Sequence, residues 1–146
     1  HHITSPPEDG NGAEKCILSA LNDAKKNPED IDYINASCTS TQLGGKVEAG
    51  CIRMIFSKNL DKVKMSSTKS SIGHLLGASG SVESIYSMLS IKNRVLPPTL
   101  NLVSPISEAE GLDLIPLNSI DHKVDCVLSN SFGFGGTNAS LIFKSI

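Results

Sequence analysis

The chain alternates segments of helical spacing with short apolar runs, and its last two runs are separated only by a glycine-rich turn. Apolar residues recur at Ala13, Cys16, Ile17, Ala20, Leu21 and Ala24, one face of a helix reaching about Lys26. Asn27-Pro28-Glu29-Asp30 stops it, because proline cannot continue a helix. Ile31 to Ala36 then reads as a buried strand. A second helix is predicted over 45–56, with Val47, Cys51, Ile52 and Ile55 on its inner face, and a short strand over 63–66. A third and longest helix is expected over 74–93, with Leu75, Val82, Ile85, Met88 and Leu89 as its core stripe. Leu96 to Asn101 is extended through its prolines, and 104–123 is an irregular excursion. Val124–Ser129 and Thr137–Phe143 close the chain as strands around the turn Phe132-Gly133-Phe134-Gly135-Gly136. Such an order commits the chain to an α/β fold, a mixed sheet with helices packed on it. Reactive groups then gather at the strands' carboxyl ends, where 37–41, 69–74 and the glycine turn fall.

Within that frame one stretch concentrates chemistry: Ser66-Ser-Thr-Lys69-Ser-Ser-Ile-Gly73-His74-Leu-Leu-Gly77-Ala-Ser-Gly80. A lysine and a histidine at the mouth of a helix suit a site that stabilises a developing negative charge. Gly73 and Gly77 suggest the close approach of a backbone or a substrate. A solvated lysine beside a satisfied histidine is the competing structural reading of the same residues.

Composition narrows the classes. At 146 residues, 39% hydrophobic and 19% charged, the chain fits one domain with a real core and is not disordered. A net charge of −2 offers no basic surface for nucleic acid, and 4% aromatics without tryptophan offers no stacking platform. The four cysteines (Cys16, Cys38, Cys51 and Cys126) have no zinc spacing and read as buried free thiols of a reducing compartment. No metal site is expected. No apolar run approaches the about 20 residues that cross a bilayer. The sequons at Asn35 and Asn138 lie in or beside strands and are discounted. The turn lacks phosphate-loop spacing, and Gly77-Ala-Ser-Gly80 is not a nucleophile elbow. The chain opens abruptly on His1-His2-Ile3-Thr4, and its natural start is expected to lie upstream.

Taken together, several stretches resemble one family, the β-ketoacyl-acyl-carrier-protein synthases, condensing enzymes of the thiolase-like superfamily. They are His2-Ile-Thr, Asn27-Pro-Glu-Asp-Ile-Asp-Tyr-Ile-Asn-Ala36, Thr39-Ser-Thr41, Ser66-Ser-Thr-Lys69, Gly73-His-Leu-Leu-Gly-Ala78, Leu96-Pro-Pro-Thr-Leu-Asn-Leu102 and Asn130-Ser-Phe-Gly-Phe-Gly-Gly-Thr-Asn138. Their order and spacing cover nearly the whole chain. The resemblance implies one half, the C-terminal one, of an α-β-α-β-α layered fold, so residues 1–146 form a domain incomplete without an N-terminal half. That half would carry the nucleophilic cysteine that takes the acyl chain as a thioester. The implied reaction is decarboxylative Claisen condensation of malonyl carrier protein with an acyl thioester in fatty acid biosynthesis. The implied partners are acyl carrier protein, the N-terminal half and, when complete, a second copy. No cofactor is implied beyond the carrier's phosphopantetheine, and the implied compartment is the cytoplasm or the mitochondrial matrix.

Residue by residue, His74 is similar to the second of two histidines that assist decarboxylation and stabilise the enolate. Lys69 resembles the lysine supporting the site's electrostatics, and Glu83 its acidic partner. Thr39 and Thr41 resemble the residues that hydrogen-bond the phosphopantetheine arm. Phe134 resembles a gating phenylalanine whose N–H contributes to the oxyanion hole, and Phe132 lies beside it. Two departures stand out. Ser37-Cys38 replace the family's His-Gly, and Gln42 replaces a proline. A serine hydroxyl is shorter than imidazole and is no base near neutral pH. Cys38 lies near the expected pocket, in a setting where cysteines are usually inert. Three readings stay open: a working condensing-enzyme domain, an impaired homologue acting as a binding or scaffold subunit, and a fragment with no role. Half of a two-half fold is also expected to leave an apolar face uncovered and to associate.

Overall fold

The computed structural model describes residues 2–146, so His1 lies outside the described residues. At its centre is β1 (Tyr33–Asn35), each residue of which is fully buried. A strand covered on both faces needs no polar alternation, which is why Ile31 to Ala36 reads as a continuous run. Parallel neighbours flank it: β2 (Lys64–Ser66) sets Met65 opposite Ile34, and β5 (Cys126–Phe132) sets Leu128 opposite Ile34. β6 (Asn138–Lys144) adds antiparallel to β5, giving the order β2-β1-β5-β6.

The pleat divides the core in two. Ile34, Met65 and Leu128 face Ile17 and Leu21 of α1 (Asn11–Asp23) and Ile52 of α2 (Gln42–Ile55). Tyr33 and Val127 face the other way, into a cluster with Leu96, Ile115 and Val124. Over that second face lies α4 (Ser79–Asn93), followed by a small antiparallel pair of β3 (Val95–Leu96) and β4 (Ile120–Asp121). One turn of helix, α3 (Lys69–Ile72), follows β2. Because β1, β2 and β5 are parallel, 37–41, 67–74 and 133–137 share one edge of the sheet, as the sequence led us to expect. The excursion 104–123 is largely irregular, yet it contributes the fully buried Ile115.

A buried carboxylate ties this edge together. Glu48, on the inner face of α2 and 2% exposed, accepts the backbone N–H of Ser37 (2.9 Å) and of Cys38 (2.8 Å). It also accepts the Asn130 side-chain amide at 3.2 Å, so α2, the end of β1 and β5 meet on one group. Asn130 continues the chain of bonds by accepting the Ser140 hydroxyl (2.8 Å) from β6. Burial raises the Glu48 carboxyl above its ordinary value, while the N–H groups of Cys38 and Ser37 and the Asn130 amide pull it down.

Four expectations need correction. The third helix begins at Ser79, not at His74, because residues 74–78 form a separate turn. Its apolar stripe does not face the sheet: Ile85 is 52% exposed, Met88 48%, Leu89 41% and Leu75 41%. The buried face is instead Ser79, Glu83, Ser87 and Ser90. Small side chains let α4 approach β5 closely, and a Cβ on Gly80 would stand 3.2 Å from the Ser131 hydroxyl. The buried Ser87 hydroxyl is satisfied within the helix, donating to the Glu83 carbonyl at 2.8 Å. Helical periodicity identifies a stripe and not the surface it meets. The hairpin is longer than expected, with Phe132 inside β5 and a loop of 133–137. Gly77 has no atom near its missing side chain, so close approach within this chain does not explain it.

Ser87→Leu is expected to overpack the α4–β5 contact and lower stability by about 1–3 kcal/mol in denaturant titration. Residues 1–146 alone should self-associate in sedimentation velocity, and replacing Ile85, Met88 and Leu89 together by glutamine should reduce that association. Glu48→Ala should cost ~1–3 kcal/mol for each donor left bare, and Glu48→Gln less, because its amide oxygen still accepts one N–H.

Candidate active site

Where the strand ends meet the hairpin loop they enclose a cavity of about 840 Å³, with Ser37, Thr39, Thr41, His74, Phe132 and Phe134 among its walls. These six residues come from three separate stretches of sequence. Lys69 and Glu83 lie outside the walls as a buried ion pair, their side chains 6% and 1% exposed.

His74 sits in the turn between α3 and α4. Gly73 before it has φ +75°, a conformation that glycine adopts without strain, and this reverses the chain out of α3. Leu76 after it also has a positive φ of 52°, which costs a side-chain-bearing residue roughly 1–2 kcal/mol. That conformation brings the Leu76 N–H to the ring's Nδ1 at 3.2 Å. A backbone N–H can only donate, so Nδ1 carries no proton and the neutral ring holds its proton on Nε2. The Ser79 hydroxyl stands 2.8 Å from the same Nδ1.

Beside this turn, Lys69 Nζ donates to Glu83 Oε1. Burial raises the Glu83 carboxyl above its ordinary value against the opposing pull of Lys69, by hydrogen bond and charge, and of His74. An unpaired carboxylate so deeply buried would be strongly unfavourable, and Lys69 offsets part of that cost. Asn35 of β1 donates to the Glu83 backbone carbonyl at 3.3 Å, which ties α4 to the central strand.

Ser37 lies two residues past β1 and is 5% exposed. Its hydroxyl oxygen accepts the Phe132 N–H at 3.0 Å, so the side chain is joined to the base of the hairpin loop. Cys38 follows it. Burial, and after it the charge of Glu48, push the Cys38 thiol well above its ordinary range, which makes it a poor nucleophile, in line with the sequence reading. Ser40 has φ +62°, turning the loop so that Thr39 and Thr41 face one another with their hydroxyls 3.2 Å apart.

Phe134 is 74% exposed at the tip of the hairpin loop. Gly133 donates to Thr137 at 2.9 Å and Gly135 to Ile3 at 2.8 Å, which fixes the tip from both sides. Phe132 is half-buried and packs against both clusters that α2 helps to build.

Sequence reasoning missed Glu48, Asn130 and Ser79. Glu48 did leave a signal: it stands four residues before Ile52 and seven before Ile55, on the stripe read as apolar. A lone acid on an inner face needs donors, and the ends of strands supply them. Ser79 and Asn130 left no such signal.

Residues 1–103 match the family model described as β-ketoacyl synthase, C-terminal domain. The chain is 50% identical over 143 residues to 3-oxoacyl-[acyl-carrier-protein] synthase 2 of Rhizobium meliloti, covering 98% of this chain and 34% of that protein. It is 47% identical over 148 residues to the mitochondrial 3-oxoacyl-[acyl-carrier-protein] synthase of Arabidopsis thaliana, covering 100% and 32%. The chain thus spans about a third of the length of these curated relatives. Among solved structures, a β-ketoacyl synthase from Burkholderia phymatum superposes with a TM-score of 0.89 at 36% identity, over 99% of this chain and 34% of that one. A type II polyketide-synthase ketosynthase in complex with its acyl-carrier protein superposes with a TM-score of 0.94 at 29% identity, over 100% and 36%. No helix among the described residues is long and apolar enough to cross a membrane. The family model matches more than half of the chain, and the chain belongs to the family of β-ketoacyl synthase C-terminal domains.

Proposed function

We propose that this chain is the enolate-stabilising domain of a 3-oxoacyl-[acyl-carrier-protein] synthase. Together with the rest of its fold it would carry out decarboxylative Claisen condensation of malonyl carrier protein with an acyl thioester, in fatty acid biosynthesis. The observation that carries this reading is His74: a cavity-lining residue whose Nδ1 accepts a backbone N–H, which leaves the proton of the neutral ring on Nε2. The relatives named 3-oxoacyl-[acyl-carrier-protein] synthase support the substrate class.

The chemistry asks for such a donor. As the malonyl carbon–carbon bond breaks, carbon dioxide leaves and the electron pair moves onto the thioester oxygen. A donor aimed at that oxygen, in a site shielded from water, stabilises the enolate as it forms. The enolate carbon then attacks an acyl thioester on the nucleophilic cysteine of the N-terminal half, and the cysteine thiolate departs. The Phe134 N–H would face the acyl oxygen, with Phe132 behind it. Thr39 and Thr41 would hold the phosphopantetheine arm through their paired hydroxyls. Lys69 and Glu83 would keep a fixed charge pattern beside His74. The reading takes no cofactor besides the carrier's own arm. Its partners are acyl carrier protein, the N-terminal half, whose contact would cover the outward face of α4, and a second copy in the complete enzyme. The compartment is the cytoplasm or the mitochondrial matrix.

One observation favours the second reading, an impaired homologue acting as a binding or scaffold subunit. Ser37 stands where the family places its first histidine, and its oxygen already accepts the Phe132 N–H. One donor to the enolate is thereby missing, and such a loss costs on the order of 10²–10³ in rate.

Malonyl-carrier decarboxylation by the full-length protein separates the two. Ser37→His should raise the rate by on the order of 10²–10³, and His74→Ala should lower it by a similar factor. No rise with Ser37→His would overturn the condensing reading. Turnover of unaltered protein at the rate of its relatives would overturn the scaffold reading.

A further inference from the structure

We propose that Ser79, the first residue of α4, is the positioning residue that fixes the orientation and tautomer of the His74 ring. The inference rests on the reading of His74 as the donor to the enolate. Its warrant is the direction of three hydrogen bonds. The Leu75 N–H donates to the Ser79 hydroxyl oxygen at 2.9 Å, and the Leu76 N–H donates to His74 Nδ1 at 3.2 Å. The first bond occupies an acceptor position of the serine, and the second shows that Nδ1 is the unprotonated nitrogen. The remaining contact, 2.8 Å between the Ser79 hydroxyl and Nδ1, therefore runs from the hydroxyl to the ring. It is the shorter of the two bonds that Nδ1 accepts.

Ser79 is suited to this task by where it sits. It is 6% exposed on the face of α4 that packs against the sheet, so its side chain has little room to turn away. Residues 74–78, in contrast, are exposed, and two of the turn's backbone conformations are left-handed, at Gly73 and Leu76. Strain of this kind persists only where neighbouring contacts over-determine it. One hydroxyl bonded both to the ring and to the Leu75 N–H does that: it anchors the turn to the helix and the ring to the turn. Glu83 and its partner Lys69 are bonded to one another, and neither is hydrogen-bonded to a ring nitrogen of His74.

The test compares Ser79→Ala, Ser79→Val and Ser79→Thr in the full-length protein. Threonine and valine are nearly isosteric and differ in the hydroxyl, so the pair separates hydrogen bonding from packing. The readout is the ¹⁵N chemical shifts of His74 at mildly alkaline pH, which report the tautomer, alongside kcat and KM for malonyl-carrier decarboxylation. Loss of the hydroxyl should shift the tautomer ratio toward Nδ1–H by roughly 2- to 10-fold and lower kcat by a similar factor, with KM unchanged. Threonine should keep the wild-type values of both. Wild-type ring shifts in the alanine or valine protein would overturn the proposal, as would loss of the wild-type signature in all three variants. The shifts are read without turnover. A tautomer that follows the hydroxyl in a protein with no decarboxylase activity would leave this inference standing while the functional reading fails.

Discussion

A single buried carboxylate holds together the parts on which the site depends. Glu48 has three donors, two backbone N–H groups at the end of β1 and the amide of Asn130. Hydrogen bonds to a charged group contribute about 1.5–3 kcal/mol each, and an isolated buried carboxylate would cost several kcal/mol or more. Three such bonds are of the size needed to offset that penalty. The geometry matters as much as the energy. Residues 37–41 have no sheet partner beyond the end of β1, and without an internal acceptor their N–H groups would need water. Bound to Glu48, they take one fixed path along the cavity wall.

The same economy of buried polar groups recurs on the other face of the sheet. α4 presents serines and a glutamate to β5 where an ordinary amphipathic helix would present leucine and isoleucine. Small side chains bring the helix close, and the buried Glu83 is neutralised by Lys69, which arrives from the turn after β2. Ser79, at the start of α4 and on the same buried face, stands within hydrogen-bond distance of the His74 ring. The apolar residues of α4 are left on its outer surface, where a soluble domain alone would not place them. Their exposure agrees with a chain that spans about a third of its curated relatives.

Much of the candidate site was legible in the sequence. Lys69, His74, Phe132, Phe134 and the two threonines lie in short segments where glycine, proline and hydroxyl residues punctuate apolar runs, so their place at strand ends could be inferred from the pattern. Parallel strands then guarantee that such ends gather at one edge. The support of the site was less legible. Glu48 was masked by its apolar neighbours in α2, and Asn130 and Ser79 act through contacts that sequence distance hides, 82 residues in the case of Asn130 and Glu48. The departure at Ser37 was visible as a letter. That its oxygen would be taken up by the Phe132 N–H was not, because the partner lies 95 residues away.

By itself the sequence determined the elements, their α/β order and the residue types that could meet a developing negative charge. It did so because local spacing, proline stops and glycine turns act over a few residues. Only the tertiary structure decided which face of α4 meets the sheet, since a helical stripe is equally regular whether it packs against its own domain or away from it. Only the tertiary structure decided the state of His74 as well. A ring's tautomer is set by the partner of its other nitrogen, and here those partners are a strained N–H two residues on and a hydroxyl at the start of the next helix.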